Sequence, residues 1–335
     1  MFKGEFKIFI KVIKLLLVAA AVFFAMYFIP LPYYITGPGT TRDLSSVVTV
    51  EGGKKHTGGK FILTTVFYQK ANLFLWLYSL ADRKSELRKK ENEPWQRIED
   101  YENYMIRQME ESKYLAAVAA LNEKGYNIKI NRQGIRVEAI FTESKAMGVL
   151  KPGDLILELN GNVPASSREL SMTVNSLPPG AVVKIKIRRF QPGSEQGKEM
   201  EFSIPTIQRE GRTVIGILLG PSVIMGELPV KVTIDSGHIS GSSAGLMFAL
   251  EILSQLEDKD LAKGYAVAGT GTIDEDGNVG PIEGAKFKII AAERAGAKIF
   301  LVPQENYEEA KSAGTSLKIL PVKTLHDAVN ALANL

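Results

Sequence analysis

Ser243 and Lys288 are the residues of this 335-residue sequence whose types and settings best suit nucleophilic chemistry. Ser243 lies in residues 237–256, GHISGSSAGLMFALEILSQL. There a strand-like run, Val-Lys-Val-Thr-Ile at 230–234, enters a loop of small residues, and an apolar helical pattern starts at once. First-turn N–H groups of a helix lack intrahelical partners and carry the positive end of its dipole, so an oxyanion formed beside Ser243 would meet donors. Gly241, Ala244 and Gly245 are small enough to let a substrate backbone approach closely. The same position also suits a plain helix cap made by Ser242 or Ser243.

A serine hydroxyl is a weak nucleophile near neutral pH and needs a base. The chain has no cysteine and three histidines, His56, His238 and His326. His238 precedes Ser243 in the same loop, so a Ser–His pair stays open beside the reading of a surface histidine. A lysine serves as base when burial pulls its pKa well below the reference of about 10.4. On a helix starting near Glu283, Lys288 shares a stripe with Gly284, Ala291, Ala292 and Ala295, which can pack closely and desolvate an amine. Lys286 shares a face with Ile289, Ile290 and Glu293, where it can snorkel and pair with the carboxylate. Lys288 is therefore the expected base, against the plain alternative of a solvated surface lysine.

The stretches SGSSAGLMFAL and TGTIDEDGNVGPIEGAKFKIIAAERAGAKIFLVPQEN resemble the proteolytic domain of Lon peptidases, which use a serine–lysine dyad. The resemblance implies Ser243 as nucleophile and Lys288, directly before Ile-Ile-Ala-Ala, as base. It implies Thr270 as the hydroxyl beside the amine, with backbone N–H groups around Ser242–Ala244 as oxyanion donors. Two positions depart from the family pattern: Ser242 stands where proline is usual, and Glu283 where glycine is common. The segments GGKFILTTV and MEESKYLAAVAAL resemble the first strand and helix of the same domain.

Between these Lon-like parts, GIRVEAIF, LKPGDLILELNG and PPGAVVKIKIRRF resemble a PDZ domain of the bacterial type. Such domains capture extended peptides by strand addition. No Gly-Leu-Gly-Phe loop is evident; Asn131–Gly134 sits where one is expected, with Arg132 as a possible charge for a carboxylate. The alternative is a small β-rich domain used only for spacing.

The elements that must position these residues follow from pattern. The implied fold class is an α+β and α/β Lon-type proteolytic domain, interrupted by a small β-rich PDZ-like domain and preceded by one transmembrane helix. The expected boundaries are 1–35 for a cytoplasmic tip and anchor, 36–125 and 206–335 for the two parts of the proteolytic domain, and 126–205 for the PDZ-like insert. Insertion is tolerated where the ends of the inserted domain lie close together. Expected strands are 60–68, 135–140, 154–159, 182–187, 200–204, 214–218, 230–234, 266–269, 298–302 and 317–322. Residues 37–59 read as a linker with short strands. Residues 72–80 are strongly apolar and leave helix, strand and membrane-lying patch all open. A long amphipathic helix is expected from Trp95 through Ile98, Tyr101, Met105, Met109 and Leu115 to Gly125, and shorter ones at 167–175, 307–312 and after Thr324.

Lys3, Lys7, Lys11 and Lys14 precede residues 15–35, which carry no charge. That run spans a hydrocarbon core of about 30 Å, and the lysine bias places the N-terminus in the cytoplasm and the bulk of the chain outside it. Tyr27, Tyr33 and Tyr34 suit the outer interface. A signal peptide cut near Ala19–Ala21 is the rival reading, and it would leave residues 22–35 as an exposed apolar end.

Hydrophobic residues are 45%, charged residues 23%, and the net charge is +4, an ordinary globular balance with no basic stripe for nucleic acid. Without cysteine there is no disulfide, thiol nucleophile or cysteine-ligated metal. Residues 274–278, Asp-Glu-Asp-Gly-Asn, lack the later glutamate of a calcium loop and read as a hairpin turn. GTGTIDEDG lacks the end of a P-loop, so neither metal nor nucleotide cofactor is expected.

The function expected is a membrane-anchored, ATP-independent serine endopeptidase acting on unfolded or PDZ-selected proteins, with a homo-oligomeric ring by analogy. Autoprocessing alone is a narrower form of the same chemistry. The rival from another class is a non-catalytic, membrane-tethered adaptor in which the PDZ-like domain binds peptides and the dyad is vestigial.

Overall fold

The computed structural model describes residues 2–82, 84–89, 98–190 and 197–335. Trp95 lies outside them, as does the Arg132 side chain. Helix α1, Phe2–Phe28, contains a 20-residue apolar stretch, Phe9–Phe28, that is nowhere buried in the fold and meets it only near its C-terminal end, where Phe23 packs against Phe74. The apolar run does not stay helical to residue 35: Pro30 opens strand β1, Pro30–Asp43, because it lacks the N–H a helix interior needs. Tyr34 and Ile35 are consequently buried in a sheet, with Tyr34 stacked on Tyr68 at 4.5 Å between centroids.

The stretch expected as a linker at 37–59 therefore begins inside β1, followed by β2, Val48–Val50. Strand β3, Lys60–Asn72, runs antiparallel to β1. The two backbones close up at Gly39, where any Cβ would sit 2.4 Å from Thr65 Oγ1. Residues 73–81 form helix α2, Leu73–Ala81, capped by the Asn72 side chain on Leu75 N–H at 2.8 Å. Strand β4, Glu86–Lys89, flanks the other edge of β1. Helix α3, Ile98–Glu123, has Tyr101 exposed and buries its core face only from Met109 onward, through Ser112, Ala116, Ala119 and Ala120.

The next unit carries β5, Asn131–Ile140; β6, Leu155–Leu159; α4, Ser167–Asn175; β7, Val182–Phe190; β8, Gly197–Pro205; the hairpin β9, Ile207–Arg209, with β10, Arg212–Val214; and β11, Ile217–Ile224. Its five-stranded sheet has the order β11-β5-β6-β7-β8, around a core of its own that includes Val137, Ile156, Leu170, Val183, Ile185 and Ile204. Strand β11 lies beyond the boundary expected at 205. It completes this sheet because β5 offers it an open edge. Residues 131 and 132, in the stretch that sits where a carboxylate loop would be, are paired strand, opposite Ile224 and Val223.

The chain returns through β12, Val232–Ile234, which pairs with β2. Then follow α5, Gly245–Leu256; β13, Ala266–Gly269; the hairpin β14, Thr272–Ile273, with β15, Val279–Gly280; α6, Ala285–Arg294; β16, Ile299–Pro303; α7, Tyr307–Lys311; β17, Lys318–Val322; and α8, Leu325–Ala333, with a Thr324–Asp327 capping box. The main sheet runs β17-β16-β13-β3-β1-β4, parallel from β17 to β3 and antiparallel thereafter. Alternation sorts its side chains. Phe61, Leu63, Val267, Ile299 and Leu301 join α3, α5 and α8 on one face, while Ile62, Ala268, Phe300 and Val302 join α6 and α7 on the other.

Helix α5 presses onto the sheet at Gly269, where a Cβ would meet Met247 Sδ at 2.6 Å and Leu301 O at 2.8 Å. Gly269→Ala is expected to cost about 1–3 kcal/mol by overpacking. Urea unfolding of the full chain in detergent should show a lower midpoint at unchanged slope. An unchanged midpoint would mean that α5 can move off the sheet freely.

Candidate active site

Strand β13 ends at Gly269, and the next residues, Thr270 and Gly271, cross the sheet edge between α5 on one face and α6 on the other. Residues just past the carboxyl ends of parallel strands are where open α/β sheets place ligands. Gly271 N–H donates to the Ser243 carbonyl at 2.9 Å, and Thr270 N–H to Leu301 O at 3.0 Å, so the loop that carries Ser243 is tied to the sheet end.

Ser243 is not a cap. The N-cap of α5 is Ala244, in helical geometry with no side-chain cap bond. The small residues around it serve packing as much as access. A Cβ on Gly245 would strike Ile273 Cγ2 at 2.8 Å, and one on Gly241, at φ 93°, would meet Met105 Cε at 2.8 Å. Gly245 therefore lets α5 approach the Thr270–Ile273 segment rather than a substrate.

Lys288 reaches the site from the second turn of α6. Gly284, at φ 74°, opens that helix, accepting bonds from Phe287 and Lys288 N–H, and sits against Val66. Lys288 is 4% exposed, and its Nζ lies 2.5 Å from Ser243 Oγ and 3.0 Å from Thr270 Oγ1. No carboxylate touches the amine among the described residues. Desolvation lowers its pKa from 10.5 to about 7, opposed only by the longer-range field of Glu309.

Hydrogen-bond direction here follows from donor counting. Thr270 Oγ1 donates to the Ser243 carbonyl at 2.9 Å, which leaves it only lone pairs for the lysine. A neutral amine therefore gives one N–H to Thr270 and keeps its lone pair available to the Ser243 hydroxyl. The N–H groups of Ser242, Ser243 and Ala244 have no hydrogen-bond partner among the described residues, while Gly241 N–H is taken by Met105 O at 2.9 Å. The arrangement can deprotonate one hydroxyl and offer free donors beside it. That is the equipment of acyl transfer.

The other sequence candidates lie elsewhere. Ser242 is half-buried with its hydroxyl unbonded among the described residues. His238 is exposed and makes no bond to Ser243. His56 bonds Ser254 O and Glu257 O at the far end of α5, and His326 pairs with Glu123. Lys286 pairs not with Glu293 but with Glu86 at 2.7 Å, because β4 lies against that turn; Glu293 instead accepts from Ser316. Residues 274–278 form a tight turn in which Asp274 accepts from Asp276 N–H and from the backbone and side chain of Asn278. Ser112 was not foreseen as part of the site: its Oγ donates to Ser242 O at 2.9 Å. Its signal was available as two polar residues, Glu111 and Ser112, on the otherwise apolar buried face of α3.

Below pH 7 Lys288 is charged in both folded and unfolded chains and its burial penalty is fully present; between about 7 and 10.5 the unfolded chain holds the extra proton, so stability rises with pH. Lys288→Met should be more stable than the parent at pH 7, with the gap closing toward pH 10.5. Phosphonylation of Ser243 by a fluorophosphonate, with loss of fluoride, should rise with pH through a midpoint near 7 and be lost in the same variant. A pH-independent rate would exclude the lysine as base.

Residues 225–333, which hold Ser243, Thr270 and Lys288, match the family model of the Lon protease (S16) C-terminal proteolytic domain. The chain is 39% identical over 98 residues to a Lon protease of Campylobacter concisus, covering 28% of this chain and 12% of that protein. It is 35% identical over 103 residues to an archaeal Lon protease of Methanocaldococcus jannaschii, covering 31% and 15%. The chain thus spans well under a fifth of the curated relatives it matches. Among solved structures, it is similar to PDZ domains of SdrC-like proteins from Listeria monocytogenes (30% identity, TM-score 0.24, 28% of this chain and 93% of that one) and Listeria innocua (34%, 0.23, 26% and 93%). The similarity to Lon proteases falls on the part of the chain that carries the buried lysine and its serine.

Proposed function

We propose that this chain is a membrane-anchored serine endopeptidase working through a Ser243–Lys288 dyad without nucleotide. The observation that carries the reading is a buried amine, with no carboxylate contact among the described residues, 2.5 Å from a serine hydroxyl. Neutral Lys288 takes the Ser243 proton as Oγ attacks the peptide carbonyl, and the oxyanion is received by N–H groups from Ser242 to Ala244. The resulting ammonium gives its proton to the leaving amine, and the C–N bond breaks to leave an acyl-enzyme ester. Water, deprotonated by the same amine, attacks the ester and restores the hydroxyl. Thr270 accepts an N–H of Lys288 in both charge states and so keeps Nζ beside Ser243. Peptide hydrolysis by this route is downhill and consumes no nucleotide, so flexible or unfolded segments are the substrates it suits.

Support for the anchor comes from α1 and its neighbour. Phe74 of α2 meets Phe23 of α1 edge-on at 5.0 Å, and Leu73 N–H donates to Ile29 O at 3.1 Å. Leu77, Tyr78 and Leu80 are 43–65% exposed beside the end of the apolar helix, which suits a bilayer interface. Support for substrate selection comes from β11, an edge strand with α4 packed nearby, open to pairing with an extended peptide. The proteolytic unit is in this reading the sequence on either side of that small sheet.

The decisive test is nucleotide-free degradation of an unfolded protein by the full chain in detergent. Ser243→Ala and Lys288→Ala should abolish it, while Lys286→Ala keeps it. Equal activity in parent and Ser243→Ala would sink the enzyme reading and leave peptide capture by the small sheet. For the anchor, a Trp95→Phe chain in vesicles retains Trp76 on α2 as its sole tryptophan. Brominated acyl chains should quench its emission; emission indifferent to bromination would place α2 off the membrane.

A further inference from the structure

Helix α3 touches both the nucleophile loop and the small sheet. Toward the loop, Met105 O accepts Gly241 N–H at 2.9 Å, and Ser112 Oγ donates to Ser242 O at 2.9 Å. Toward the small sheet, Glu111 accepts from Arg136 at 2.7 Å and Arg107 donates to Glu138 at 3.1 Å, both partners being on β5. Tyr114 Oη accepts Gly226 N–H, just past β11, at 3.1 Å. Glu111 and Glu138 are 5% and 1% exposed, and Arg136 also lies 3.4 Å from Ser222 Oγ of β11. Gly220 of β11 makes room for this cluster, since a Cβ there would fall 2.6 Å from Glu138 Oε1. A buried ion pair with one partner removed is strongly destabilising, so these contacts hold α3 at one position relative to β5.

That position has a chemical consequence at Ser243. A peptide unit is planar and trans, so its C=O and N–H point in opposite directions. The Ser242 carbonyl accepts Gly245 N–H at 3.3 Å and the Ser112 hydroxyl at 2.9 Å; the shorter bond from α3 sets the tilt of this peptide and so turns the Ser243 N–H away from α3, where it has no partner among the described residues. We infer that Ser112 is a positioning residue for the oxyanion donors, and that the Arg136–Glu111 pair makes the small sheet part of the machinery that sets the nucleophile loop. The inference rests on the acyl-transfer reading of Ser243 and adds to it residues from a helix and a strand outside the matched segment. Ser112 touches no reacting atom. It acts through the orientation of one peptide.

The test uses the full chain in detergent and a fluorogenic peptide, with a peptide boronate as a mimic of the tetrahedral state. Ser112→Ala should lower kcat by about 10- to 100-fold, up to the effect of a 1 Å misplacement and below the roughly 100- to 1000-fold cost of removing an oxyanion donor outright, with KM unchanged. Boronate inhibition should weaken by a similar factor, while the midpoint near 7 stays, because Lys288 is untouched. Arg136→Met should repeat the kcat loss, Arg136→Lys should recover part of it, and Ser112→Ala with Arg136→Met should lose less than the product of the two. Ser112→Ala with parental kcat and boronate affinity overturns the proposal even if Arg136→Met fails to fold. So do multiplicative effects of the two changes, or a loss confined to KM. A parent chain that neither cleaves nor binds boronate instead removes the acyl-transfer reading, and this inference with it.

Discussion

A single desolvated amine sets the terms for the rest of the fold. Lys288 is useful at neutral pH only if water is kept from it and no carboxylate neutralises its field, since either would restore a pKa near 10.5. That requires close packing around the first turns of α6, which the left-handed Gly284 against Val66 and the Ala291–Ala292 pair supply. It also requires polar contacts that hold the amine without charging it, and two hydroxyls, Ser243 and Thr270, do this. The burial destabilises the folded chain below the lysine's ordinary pKa, a cost offset by the cores on both faces of the sheet.

The sheet edge explains why these groups meet. Helices α5 and α6 lie on opposite faces of the main sheet and could not share a site across it. They converge because both start beyond the carboxyl end of β13, where the Thr270–Gly271 segment bonds to the Ser243 carbonyl. The same segment fixes the direction of the Thr270 hydroxyl, which therefore accepts an N–H of Lys288. Position and proton direction are therefore set by one short piece of chain.

Helix α3 adds a third constraint from outside this edge. It holds the carbonyl of the Ser242–Ser243 peptide and carries the charges that meet β5 of the small sheet. The small sheet is thereby bonded to the framework that holds Ser243 and Lys288 rather than tethered to it by a linker. Its edge strand β11 leads directly into the segment that ends at Ser243.

Local pattern carried much of this. The start of an apolar helix after small residues left Ser243 open between cap and nucleophile, a stripe of Gly and Ala at helical spacing favoured Lys288 over Lys286 as the buried lysine, and the resemblance of both segments to Lon peptidases joined the two, because spacing shows which residues share a face but not what covers it. The positions of α4, α5 and α8, the starts of β3 and β7, and the cap at Thr324 were legible from period and end signals, while β3 and β7 run on to Asn72 and Phe190, past the ends expected at 68 and 187. Tertiary structure decided what depends on partners distant in sequence. Residues 30–43 became a central strand only because β3 and β4 pair with it, and β11 joined the small sheet only because β5 had a free edge. Lys286 took Glu86 instead of Glu293, and Ser112, 130 residues from Ser242, entered the site through a contact that no local period encodes. Sequence alone determined which side chains could be buried and which could react; the fold decided which of them touch, because pairing and packing between distant segments set distances that spacing along the chain does not.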